Sequence, residues 1–317
     1  MGRCLLKKIL SISFILLLFA YLLLFPLQAL EASKNGLILW FDTLLPTLLP
    51  FLILSQLILK TPAIFLFQKL LAPFFTKIFH CSSEGAFCAL CGFLCGYPVG
   101  ARLIALQLKE QKLTLAEGQY LLSFCNNVSP MFCISFGILN TIGSNKILPY
   151  LCIIYGSPLL WGFLTRPKRN AFHDFQTKKQ TSPVENIFQL IDVCIIDSFL
   201  IMIKLCGYLI LFSMFQRILF TAFSNRSLPT LCILASILEI TNSLSLLQKI
   251  PMGILRTCTA VFSLSFGGLC CLFQTNSVIS ESGLSLKKYL LHKCFISIIA
   301  LFFYFCWFFF NTANGWC

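Results

Sequence analysis

The chain has 317 residues, 58% hydrophobic and 11% charged, with a mean hydropathy of +0.86. Soluble domains run at roughly 45–50% apolar and about 25% charged, so this composition excludes a soluble catalytic domain and describes a multi-pass membrane protein in a lipid bilayer. The net charge of +13 does not imply a nucleic-acid partner, because Lys and Arg are scattered over short loops and form no dense basic face with interleaved aromatics.

The chain opens with Arg3, Lys7 and Lys8 before an apolar run over 9–30. That run is too long for a signal peptide and lacks a clear small-x-small cleavage site. We read residues 1–35 as a retained transmembrane helix, starting inside, and its loop. Residues 36–166 form a first repeat. It comprises a crossing over 36–59, an amphipathic segment over 63–79 with Lys69 and Lys77 at the surface, and a hairpin over 84–105. A charged turn, a broken crossing over 118–139 and a returning helix over 147–165 complete it. Residues 167–186 lie in the longest hydrophilic stretch and are assigned to the cytoplasm.

Residues 187–317 repeat the order: a long helix over 187–220, a hairpin over 231–247, a broken crossing over 253–278 and a last helix over 289–310. Each repeat thus holds three crossings and one re-entrant hairpin, and an odd number of crossings makes the two repeats inverted. The fold class is therefore all-α, two inverted repeats with an extra N-terminal helix. Charge agrees: seventeen of the 24 basic residues, Lys293 among them, fall on the side of the N-terminus. Six, including Arg256, fall on the other, and Lys204 stays within a helix. The positive-inside rule then puts the N-terminus in the cytoplasm and the C-terminus outside.

Seventeen cysteines lie mostly in apolar runs, where a thiol acts as a small hydrophobe. Cys88, Cys91 and Cys95 could be drawn with Cys125 or Cys133 as a metal site, but a membrane hairpin offers no polar second shell. His80, His173 and His292 are isolated. Neither metal nor cofactor is expected. The absence of H-E-x-x-H, G-x-S-x-G and paired carboxylates argues against an enzyme.

Two polar interruptions carry the chemistry. In SFCNNVSPMF, Asn126, Asn127 and Ser129 precede Pro130, which removes a backbone donor and disfavours helix before it. In SFGGLCCLFQTNSV, Gly267 and Gly268 break the helix ahead of Gln274 and Asn276. Such breaks persist at membrane depth when buried in protein or lining a wet cavity, and half-helix N-termini attract anions. Hairpin tips accompany them, with Gly96, Tyr97, Pro98 and Gly100 in the first and Glu239, Thr241 and Asn242 in the second. Glu239, a carboxylate at depth, either couples transport to a proton or cation or caps a half-helix. Asp197 and Lys204 share a helix face and read as a structural pair.

The segment GYPVGARLIALQLKEQKLTLAEGQYLLSFCNNVSPMF, with SFGGLCCLFQTNSVISESGLSLKKYLLHK, resembles the YlbJ-type sporulation integral membrane proteins, whose repeats are nucleoside-recognition Gate domains. The chain departs from the pattern in the length of its central loop and in Ser243, where Gly is expected after Asn242. The resemblance implies movement of dipicolinate from the mother cell into the forespore across its outer membrane. A planar dianion suits half-helix N-termini and amide donors, with Tyr97 or a phenylalanine against its ring. A nucleoside would suit amides and aromatics too, and a membrane scaffold using the breaks as packing surfaces is the rival of another class.

Overall fold

A computed structural model describes residues 2–168 and 187–313, and no strand occurs among them. Pro26 opens α2 (Pro26–Leu39), which follows α1 (Gly2–Leu24) after a break at Phe25. Proline is at home at a helix start, where its missing N–H is no loss. α2 runs through a π-helical turn, Trp40–Leu44, into α3 (Leu45–Lys60). The expected first helix over 9–30 and the loop ending at residue 35 are therefore not observed: the break falls at Phe25, and residues 31–35 lie inside α2. At Gly36, within this helix, α2 packs tightly on a later helix. A Cβ on Gly36 would sit 2.8 Å from Ser213 Oγ.

α4 (Ala63–Phe79) covers the amphipathic segment, and its last turns meet α5 (Ser83–Cys95) at a bend of 102°. Ser82 caps α5 by accepting from Gly85 N at 3.1 Å. The tip at residues 96–98 leads to α6 (Val99–Lys109), and Thr114 caps α7 (Leu115–Cys125) through Glu117 N at 3.1 Å. Helix is lost over 126–129 and resumes in the short α8 (Pro130–Phe132), where Ser129 Oγ accepts from Phe132 N at 3.3 Å. A π-helix, Cys133–Ile142, continues the span, and α9 (Ile147–Leu164) returns. Most of the central loop lies outside the described residues.

The second half begins with α10 (Ile187–Ala222), then α11 (Leu228–Leu238) and α12 (Ile240–Leu247), joined at Glu239. α13 (Ile254–Phe266) and α14 (Gly268–Ile279) are separated by Gly267, and α15 (Leu286–Ala313) is last. Gly267 has φ +85° and Gly268 φ +77°, a region that L side chains rarely enter, so this break is made by glycine where the first is made by proline.

Six segments among the described residues are long and apolar enough to cross a membrane: Pro26–Ile58, Leu115–Ile142, Ile147–Leu164, Ile187–Ala222, Ile254–Ile279 and Leu286–Thr312. Their outer faces carry exposed apolar side chains such as Leu148, Phe188, Ile203 and Phe302, as a lipid-facing surface requires. The arrangement of the two halves is reciprocal. α5 and α6 pack on α7, and α11 and α12 pack on α13. α6 also crosses to α14, while α12 crosses to the π-helix Cys133–Ile142, so each hairpin leans on the broken span of the other half.

Candidate functional site

Tight contacts bring both tips and both breaks together. A Cβ on Gly96 would lie 2.5 Å from Ser129 N, seating the first tip on the first break. One on Gly267 would lie 2.7 Å from Tyr97 Oη, seating the same tip on the second break, and one on Gly268 would meet Leu238 O at 3.0 Å, beside the second tip. Gly100 lets α6 approach α5, since its Cβ would lie 2.8 Å from Gly92 Cα. Glycine lets backbone meet backbone at Gly96, Gly100 and Gly268, and at Gly267 it makes room for the Tyr97 side chain.

The amides of the first break bond within the protein. Asn126 Nδ2 donates to Thr275 Oγ1 and Tyr289 Oη, both at 3.0 Å, tying the first break to α14 and α15. Asn127 Nδ2 donates to Phe124 O at 2.7 Å and closes the last turn of α7. Tyr155 Oη donates to Val128 O at 2.9 Å. Three side chains thus hold the Pro130 interruption in place, while Asn126 Oδ1 is buried without a hydrogen-bond partner among the described residues.

Glu239 is fully buried. Its two carboxylate oxygens accept from Thr241 N at 2.9 Å and Asn242 N at 2.6 Å, the geometry of a cap on α12. Asn242 Nδ2 donates to Ser213 Oγ at 2.8 Å. Gln274 is buried, with Nε2 3.2 Å from Cys270 Sγ. Asn276, expected at the second break, is exposed, and its buried neighbour Thr275 is the residue that bonds to the first break.

Lys293 was not legible as a site residue. It was counted with the basic residues of the N-terminal side, yet it is 1% exposed at the centre of the contact cluster. Its Nζ donates to Asn127 Oδ1 at 3.0 Å and to Ser265 O at 3.1 Å, and lies 5.0 Å from the centre of the Tyr97 ring. The signal was position: Lys293 is six residues beyond Lys287, about 9 Å deeper at ~1.5 Å per residue. Arg256 also turns inward, its Nε donating to Thr141 O at 2.6 Å and Nη1 to Ile250 O at 3.0 Å.

Two cavities flank this cluster. One, of ≈ 250 Å³, lies among α6, α10 and α14, lined by Pro98, Arg102, Asp197, Lys204, Tyr208, Gln274 and Ser277. The other, of ≈ 340 Å³, lies among α2, α10 and α12, with Glu31, Ser213, Arg217, Asn242, Ser245 and Lys249 in its wall. The expected Asp197–Lys204 pair does not form. Asp197 lies 3.6 Å from Lys60 Nζ and 3.9 Å from Arg102 Nη2, and Lys204 faces the first cavity. α6 and α3 bring their cations to Asp197 across the helix interface, where a neighbour on its own helix seven positions away does not reach.

Among the described residues no group of His, Cys, Asp and Glu is arranged to hold a metal ion. No protein-family model matches the chain, and no solved structure matches it. The sporulation integral membrane protein YlbJ of Bacillus subtilis (strain 168) is 26% identical over 335 aligned positions, covering 94% of this chain and 82% of the relative. That extent of similarity supports assigning the chain to the YlbJ-type family of sporulation integral membrane proteins.

Proposed function

We propose that the chain is a transporter of a small anionic solute, an aromatic dicarboxylate of the dipicolinate kind, built from two inverted Gate-like repeats with re-entrant hairpins. One observation carries this reading: the cluster of tips and breaks sits between two cavities that share α10 as a wall. From Asp197 in the first cavity to Phe220 in the second, α10 rises about 35 Å at ~1.5 Å per residue, enough to span a hydrocarbon core of about 30 Å. Broken helices meeting between two vestibules are the architecture in which alternating access operates. The cluster is packed shut, so transport requires the tips to part from the breaks.

The family resemblance supplies the setting, sporulation and the outer forespore membrane, and the charge bias of the loops supplies the orientation, with the N-terminus in the cytoplasm and the C-terminus outside. In this reading the substrate-binding residues are those of the tips and breaks, with Glu239 holding the second tip in shape. The test is flux into liposomes containing the purified protein, with labelled dipicolinate and labelled nucleosides in parallel. Dipicolinate uptake above protein-free liposomes is the expected result. Nucleoside uptake alone would replace the solute class, and uptake of neither would leave a scaffold.

A further inference from the structure

We propose that Lys293 is the anchor for a substrate carboxylate, a role that rests on the transport reading above. Its ammonium is buried where both breaks, the first tip and α15 converge, and no carboxylate forms an ion pair with it among the described residues. Both hydrogen-bond partners, Asn127 Oδ1 and Ser265 O, are neutral. An ammonium has three donors, and these two oxygens occupy two of them. Ser265 O also brings the C-terminal end of α13, a partial charge of about −0.5, which offsets part of the lysine charge and leaves the rest without an anion.

A buried charge lacking a full counter-charge is costly, and an entering carboxylate would supply what is missing. The Tyr97 ring beside Lys293 offers a flat apolar face to the body of such a ligand. These features select a small organic anion with a planar ring and give a neutral molecule of the same shape no advantage. The route runs through the first cavity, where Arg102, paired with Asp197, and Lys204, unpaired among the described residues, leave a net positive charge and Pro98, next to Tyr97, forms part of the wall. Movement of the first tip would then carry Tyr97 off Lys293 and admit the ligand.

The experiment is equilibrium binding to the full chain in lipid nanodiscs, with pyridine-2,6-dicarboxylate and its uncharged diamide as probes. The wild type is expected to bind the dicarboxylate and to bind the diamide far more weakly. Lys293→Gln should lower dicarboxylate affinity roughly 30-fold or more and leave the diamide unchanged. Equal binding of the two probes by the wild type, binding of neither, or undiminished dicarboxylate binding by Lys293→Gln would each overturn the proposal. If Lys293→Gln does not fold, Lys293→Met, which suits the buried position, replaces it in the same comparison with the same expected loss. Flux in liposomes separates this from the transport reading. Lys293-dependent binding without flux retains the anchor and ends transport, whereas flux that Lys293→Gln leaves untouched does the reverse.

Discussion

Asn126 and Asn127 are consecutive but serve different helices, one reaching across to Thr275 and Tyr289, the other turning back to Phe124 O and forward to Lys293. Asn126→Leu removes the partner of two buried hydroxyls, and Asn127→Leu removes an acceptor from a buried ammonium. Each is expected to cost about 1–3 kcal/mol, read as a lower melting temperature in detergent. Membrane insertion should persist, because Leu is favoured in the bilayer, and flux should fall steeply. Unchanged stability would show that these hydrogen bonds hold nothing. Glu239 gives a graded case. Glu239→Leu strands the N–H groups of Thr241 and Asn242, again about 1–3 kcal/mol. Glu239→Gln keeps one acceptor oxygen and should cost less, so equal losses in the two variants would contradict the cap.

At the scale of helices, two glycines set how closely elements approach. Gly267→Ala puts a side chain into a left-handed backbone, at about 1–2 kcal/mol, and into the Tyr97 hydroxyl. It should loosen the seat of the first tip on the second break. Gly36→Ala meets Ser213 Oγ at 2.8 Å and the α10 backbone at 3.2 Å, and should cost about 1–3 kcal/mol by overpacking. Thermal unfolding of both variants beside the wild type reads these costs, and wild-type melting would contradict the close contacts. Helix positions were largely legible in the sequence, because apolar runs of bilayer length and the interruptions at Pro130 and Gly267 are local signals. The N-terminal boundary was not: the apolar run is continuous past Pro26, and only its N1 preference places the break at Phe25. Lys293 and the partners of Asp197 were hidden for another reason. Loop-charge counting treats every basic residue near a helix end as solvated and so passes over the spacing that sets Lys293 deeper than Lys287, whereas the packing of α3 on α10 and the reach of Arg102 to Asp197 are properties of the folded chain.

Across the whole molecule, the reciprocal packing of hairpins and broken spans places two cavities along α10 with the contact cluster between them. The proposed inversion of the two halves rests on crossing number, because parity is a property of the sequence of spans. The cavities could not, since their walls combine residues as distant as Pro98 and Gln274, or Glu31 and Asn242. The most direct test of the account is side-specific labelling of a cysteine-depleted chain in oriented membranes with a membrane-impermeant thiol reagent. Ser277→Cys reports on the first cavity and Ser245→Cys on the second. The account predicts that Ser277→Cys reacts only from the side of the N-terminus and Ser245→Cys only from the opposite side. Reaction of both from one side would contradict it.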